Sequence, residues 1–315
     1  MNDLSKIPKS DMAEPEKTMV LVLIALFPTL AAGTYIFGAR VILLTVICVA
    51  ACILFELLFC LAAGKVVSVR DSSAAVTGVI LAFLLPSGFP YWMAVTGCFF
   101  AIFAAKMIFG GLGQNFVNPA AAGYAFLTVC FPEYINSLSF PNVASATGDI
   151  AAQSPLMLWA LGKTEEMPTY IEMFLGFISG GAGSVCLLTI MIGGIFLIWK
   201  KVISPLMPVA FLLAVVGTAL LIPGEDPLFH LLAGSTFIGA FFLAGDSSTT
   251  PAGKTGKIVF GIFAGVLAMG IRMSGMNIDG VIFAILLMNM ITPYIDIMDK
   301  RIEKLALQRK KGDAI

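Results

Sequence analysis

The sequence predicts an all-α, polytopic membrane protein: about ten transmembrane helices in two inverted five-helix halves, some helices short or broken. Three observations predict it. Of 315 residues, 59% are hydrophobic and 12% charged, against about 45–50% and 25% in soluble domains; the mean hydropathy is +0.97. The apolar residues gather into segments near bilayer length. The basic residues fall almost entirely on one side of those segments when all are threaded through a membrane.

Ten segments can be drawn, near 19–38, 41–63, 73–86, 91–109, 119–132, 170–199, 203–222, 229–245, 257–273 and 278–296. Most approach the roughly 20 residues that cross the hydrocarbon core. Segments 73–86 and 119–132 are short and end at Pro86 and Pro132, so they are expected not to cross fully. The sixth is too long for one span and is interrupted by Gly180-Gly181-Ala182-Gly183, which predicts a break.

Basic residues concentrate on the cytoplasmic side of membrane proteins. With the N-terminus inside and every segment crossing, Lys6, Lys9, Lys17, Lys65, Arg70, Lys106, Lys200, Lys201, Lys254, Lys257 and the tail's Lys300, Arg301, Lys304, Arg309, Lys310 and Lys311 are inside. Only Arg40, Lys163 and Arg272 are outside. One miscounted span would invert everything after it, so ten spans with both termini cytoplasmic is the predicted topology. The chain then divides into a cytoplasmic N-terminal segment (1–18), a first membrane half (19–132), a polar outer-face loop (133–168), a second membrane half (169–298) and a basic cytoplasmic tail (299–315) that continues the last helix.

Five spans per half make any repeat an inverted one, with its site near the midplane where broken helices meet. Thr77–Phe83 and Ile238–Ala244 are similar Gly-containing apolar runs that lead into polar turns.

Zero net charge argues against a nucleic-acid partner, which requires a basic face. The six cysteines lie in or beside apolar stretches and read as small packing residues. No metal-ligand cluster, Ser-His-Asp set or paired glycosidase carboxylates can be assembled, so neither a metal nor a catalytic residue is predicted.

Two polar, glycine-rich turns adjoin the membrane. In Gly110–Pro119, Gly111 and Gly113 let the backbone approach a ligand, while Gln114, Asn115 and Asn118 supply donors and acceptors. Pro119 then starts a helix. In Ala244–Pro251, Asp246 is expected to cap a helix or to accept from a ring N–H. Glu56 is the one acidic residue well inside a span, a functional position by default, able to bind Na+, shuttle H+ or bond a neighbouring helix. Arg272 is expected to snorkel or to hold an anion, and His230, the only histidine, to sit at the outer mouth of segment eight.

The GGLGQNFVNPA turn, the Ala244-Gly245-Asp246-Ser247-Ser248 turn followed by GKIVFG, the Ile271-Arg272 pair and the basic tail resemble the D-type subunit of the Rnf-type ion-translocating electron transport complex. They are also similar to the B-type subunit of the Na+-translocating NADH:quinone reductase. The likeness covers about residues 16–305, and the compact chain looks more like the Rnf protein. The resemblance implies a membrane electron carrier in the bacterial cytoplasmic (inner) membrane, part of a complex passing electrons between ferredoxin and NAD+ and coupling this to Na+ or H+ movement. It implies FMN held by a phosphoester to a threonine of a D-x-x-[ST]-G-A-T motif on the outer side, a flavin transferase for maturation, and in some members riboflavin.

Two registers of that motif exist here. Ala144-Ser145-Ala146-Thr147 keeps Ala-Thr, which makes Thr147 the expected attachment residue. Asp149 followed by Gln153-Ser154-Pro155-Leu156 offers Ser154 as the alternative. The two polar turns are then candidates for a second flavin or a coupling site, with Arg272 as a further cofactor contact and Glu56 as the ion-coupling residue. Ten spans in inverted halves also suit a solute channel of the urea or ammonium type.

Overall fold

The computed structural model describes residues 15–64, 71–136, 153–246, 248–275 and 279–312. In chain order the helices are α1 (Pro15–Phe37), α2 (Arg40–Ala62), α3 (Ser73–Leu84), α4 (Tyr91–Phe99), α5 (Pro119–Cys130), α6 (Pro132–Ile135), α7 (Pro155–Ala160) and α8 (Tyr170–Leu175). They are followed by α9 (Leu187–Trp199), α10 (Leu206–Leu221), α11 (Pro227–Leu232), α12 (Thr236–Ile238), α13 (Lys254–Met273) and α14 (Val281–Gly312). Among the described residues there is no strand, only an isolated bridge between Pro86 and Gly181.

Lipid offers no hydrogen bonds, so an apolar chain must satisfy its own backbone, and helices do that locally. Among the described residues four helices are long and apolar enough to cross a bilayer: Glu16–Phe37, Arg40–Ala62, Lys254–Met273 and Val281–Ile302. Ser73–Leu84, Tyr91–Met107, Pro119–Cys130, Leu187–Trp199 and Leu206–Leu221 are shorter apolar helices. Phe27, Leu61, Leu213 and Leu221 are exposed on the outside, which in water would be a large aggregation-prone surface.

The breaks fall where glycine and proline put them. α3 stops at Leu84, before Pro86, and α5 at Cys130, before Pro132. The sixth segment divides into α8 and α9, and its glycine run folds back on the end of α3, where Ala182 N donates to Leu85 O at 2.8 Å and Gly183 N to Phe83 O at 3.0 Å. Two features differ from the sequence reading. α4 runs on as a π-helix over Phe100–Met107, and the eighth segment is α11, a break, α12 and a π-helix over Gly239–Leu243. The described residues of the segment 133–168 include the short α7.

Packing order recurs in the two halves. α2 packs on α3 and α4, and α10 packs on α11 and α13; α4 meets α5 as α13 meets α14. Across the halves, α1 lies on α9 and α5 on α14. The α10–α13 contact is close because Gly261 and Gly265, four residues apart, face α10. A Cβ there would stand 2.8 Å from Met207 O and 2.7 Å from Phe211 O. Small residues at that spacing let helix backbones approach where no hydrophobic effect drives association. All six cysteines are free, five of them buried and Cys130 exposed.

Candidate functional site

Glu56 is not a lone carboxylate. Its Oε2 accepts from Lys106 Nζ at 2.7 Å, and the two side chains are 0% and 1% exposed. Lys106, read from the sequence as an interfacial anchor, is instead interior because the π-helical stretch carries it back among α2 and α3. π-Helical runs are rare and concentrate at functional positions. The ammonium also donates to Ser73 Oγ at 2.5 Å. Ser73 Oγ in turn donates to Asp71 Oδ1 at 2.5 Å. A polar thread thus runs from half-exposed Asp71 to fully buried Glu56.

The two glycine-rich turns, 128 residues apart at their nearest polar contact, come together. Asn118 Oδ1 accepts from Ala121 N and caps α5, with Pro119 at its first position. Its Nδ2 donates to Asp246 Oδ2 at 3.4 Å, and its backbone N donates to Asn289 Oδ1 at 3.0 Å. Asn289 Nδ2 donates onward to Thr249 O at 3.1 Å. Asp246 therefore caps no helix; α13 starts after Gly253. Its carboxylate closes its own turn by accepting from Ser248 N and Oγ. Of the remaining turn residues, Gly111 and Gly113 adopt positive φ of 94° and 82°, which glycine alone takes without strain. Gln114 is exposed, while Asn115 is buried and its Oδ1 has no hydrogen-bond partner among the described residues.

Arg272 does not snorkel. It is 1% exposed and donates to His230 O at 2.9 Å, Asp279 O at 3.2 Å and Asp279 Oδ1 at 3.4 Å. His230, expected at a surface mouth, is 0% exposed, and its Nε2 lies 2.7 Å from Glu225 Oε2. Trp159 Nε1 donates to the same carboxylate oxygen at 2.9 Å, so α7 is tied to the α10–α11 turn. Buried polar groups are held this way because an unpaired one costs more than the bond gains.

Two cavities open toward opposite ends of α3 and α5. The smaller, about 60 Å³, is lined by Ser73 and Thr77 of α3, Lys106, Asn115 and Asn118, and Asp246. The two turns meet at this cavity and join the halves there. The larger, about 570 Å³, is lined by Tyr124, Thr128, Gln153, Ser154, Ser235 and Asp279 among others. That lies within the roughly 300–1,000 Å³ usual for small-molecule sites. Gln153 Oε1 and Ser235 Oγ are buried there without partners among the described residues. Ser154 caps α7, its Oγ accepting from Met157 N at 3.3 Å. Thr147 lies outside the described residues.

Sequence reasoning missed Lys106, Asn289, Ser235 and the Trp159–Glu225–His230 cluster. For Lys106 a signal existed, since it falls within the apolar stretch 91–109. No local signal marks the others, whose partners lie on different segments.

A profile described as "NQR2, RnfD, RnfE family" matches residues 9–303. The chain is 40% identical over 277 residues to the D-type subunit of the Na+-translocating ferredoxin:NAD+ oxidoreductase complex of Acetobacterium woodii, covering 87% of this chain and 86% of the relative. It is 36% identical over 295 residues to the D-type subunit of the proton-translocating ferredoxin:NAD+ oxidoreductase complex of Clostridium ljungdahlii, covering 89% and 88%. It is 34% identical over 324 alignment positions to the D-type subunit of the ion-translocating oxidoreductase complex of Salmonella arizonae, covering 90% and 92%. The chain therefore belongs to the NQR2, RnfD, RnfE family.

Proposed function

We propose that this chain is the flavin-carrying membrane subunit of an Rnf-type complex that passes electrons between ferredoxin and NAD+ and moves Na+ or H+. The observation that carries the reading is near full-length similarity to subunits whose names state that activity. The recurring packing order, α2 on α3 and α4 as α10 on α11 and α13, supports ten segments in two inverted halves. The charge asymmetry supports both termini in the cytoplasm and the segment 133–168 on the outer face of the bacterial inner membrane. In this reading the domain limits are those drawn from the sequence, and the other members of the complex, a flavin transferase and the bilayer are the partners.

The larger cavity fits a flavin. Its volume suffices, and the unpartnered Gln153 Oε1 and Ser235 Oγ suit the mixed donor and acceptor edge of an isoalloxazine. FMN would be esterified to Thr147 or Ser154; Ser154 itself lines the cavity. Bound there, a flavin supplies one- and two-electron carriage, and the protein's part is to hold and orient it. Pro132, Leu84, Leu156 and Ile178 wall the cavity with apolar surface and keep water from the ring. Glu56 is the ion-coupling residue, placed beside the smaller cavity through Lys106.

Intact mass under denaturing conditions, with peptide mapping of 133–168, tests the flavin. An added FMN mass on Thr147 or Ser154 is expected, and its absence in cells that make the transferase refutes carriage. In the complex, Glu56→Gln is expected to uncouple ion movement from electron flow, and unchanged coupling removes Glu56.

A further inference from the structure

We propose that Gln153 is the specificity-determining residue of the larger cavity: its carboxamide reads the imide edge of an isoalloxazine, with the Ser235 hydroxyl on a flanking carbonyl, and so admits flavins and rejects quinones. The proposal rests on the reading of this chain as a flavin carrier and adds which residue recognises the ring and by which edge.

The two groups belong to elements that touch. Ser235 follows Gly234 in the break between α11 and α12, and Gln153 lies just before α7, whose second residue is Leu156. A Cβ on Gly234 would stand 2.7 Å from Leu156 Cδ1 and 2.5 Å from Asp279 Oδ1, so α7, the break and Asp279 pack together there. Gly234 takes a positive φ of 69°, which suits glycine. Gln153 and Ser235 both line the cavity, Ser235 only 3% exposed.

Neither polar group is used by the fold. Gln153 Oε1 and Ser235 Oγ are buried without hydrogen-bond partners among the described residues. A buried group left unpaired costs free energy, and a native protein that keeps two of them in one cavity calls for a ligand that answers both. The neighbouring charge is already engaged: Asp279 Oδ1 and Oδ2 accept from Ser235 N at 3.2 and 3.1 Å, and Arg272 donates to Oδ1 at 3.4 Å. Recognition then falls to neutral groups, as a neutral ring requires.

Chemistry selects the ring. A carboxamide carries an acceptor oxygen beside an NH2 donor. The imide of an isoalloxazine presents an N–H between two carbonyls, so the amide oxygen takes the N–H and the NH2 meets one carbonyl. The serine hydroxyl donates to the other. A quinone has carbonyls but no N–H, and leaves Gln153 Oε1 unpaired. Sites built to bond a polar hydrogen discriminate strongly against analogues that lack it.

The test is fluorescence titration of the full-length chain, purified in detergent from cells without the flavin transferase. The probes are lumiflavin and 3-methyllumiflavin, which differ at the imide N–H alone. Wild type is expected to bind lumiflavin about tenfold or more tightly than the methylated ring, and menadione is expected not to displace it. Gln153→Met should weaken lumiflavin to the level of 3-methyllumiflavin, and Ser235→Ala should weaken both alike. Equal binding of the two flavins by wild type, displacement by menadione, or discrimination that survives in Gln153→Met overturns the proposal. The wild-type comparison needs no variant to fold. Binding of neither ring also overturns it, whether or not FMN mass is found on the chain; carriage itself is judged by that mass alone.

Discussion

Replacing Arg272 by methionine keeps an apolar stem of similar reach and removes only the guanidinium. The side chain is 1% exposed, and five groups lose a donor: His230 O, Asp279 O, Asp279 Oδ1, Thr236 Oγ1 and Ala233 O, at 2.9, 3.2, 3.4, 3.3 and 3.5 Å. Removing one partner of a buried ion pair costs about 3–5 kcal/mol. Here the charge component falls at the low end, because Asp279 is 19% exposed and keeps the bonds from Ser235 N at 3.1 and 3.2 Å. The carbonyl of His230, a fully buried residue, is left with the 3.4 Å bond from Thr236 Oγ1, and the loss of the shorter bond adds about 1 kcal/mol. The expected loss is about 4 kcal/mol. Asp279→Asn in the same chain removes the stranded carboxylate and should restore about half of the charge component. The assay is reversible denaturation of the purified chain in mixed micelles, followed by circular dichroism across the four members of the double-mutant cycle. A loss below about 1 kcal/mol, or a coupling energy below about 0.5 kcal/mol, would refute the claim that Arg272 organises this end of the second half.

Other consequences are as direct. Asn118→Ala removes the α5 cap and the bond to Asp246; caps alone are worth about 0.5–2 kcal/mol, so a loss of about 2 kcal/mol is expected in the same denaturation assay. Asn118→Asp keeps the cap but sets a second carboxylate beside Asp246, and should be less stable than the alanine variant at neutral pH and closer to it in acid. Gly265→Leu drives a side chain into Phe211 O, 2.7 Å from the position of its Cβ. It should cost about 1–3 kcal/mol by overpacking, read as a lower melting temperature and reduced accumulation in the membrane, whereas Gly217→Leu, with open space around it, should change neither.

The helical class, the stops before Pro86 and Pro132 and the break at Gly180–Gly183 were legible because each follows from local chemistry. Hydrocarbon forces the backbone to satisfy itself, proline and glycine mark where it stops, and no distant residue changes either fact. The two polar turns were legible for the same reason: carboxamides and glycines stand out beside a bilayer. What those turns do was not. Asn118 and Asp246 meet only because the start of α5 lies beside the end of the Gly239–Leu243 helix, so these groups join the halves.

Charge was the least legible property. Glu56 and Lys106 are 50 residues apart, and whether they pair depends on how α2 and the π-helical stretch are rotated against each other. A count of basic residues by side treats Lys106 as an anchor, and a helical register drawn at 3.6 residues per turn misplaces it, because a π-helical stretch shifts every later side chain around the axis. Arg272 and His230 were misread alike: near the end of an apolar segment, snorkelling and burial look the same in one dimension. The sequence by itself determined what this protein is made of, where its helices run and which family it joins, since lipid solvation acts on each segment alone. Only the tertiary structure decided which charges neutralise one another and where two cavities open, because those depend on helix rotation and contact between segments far apart in the chain.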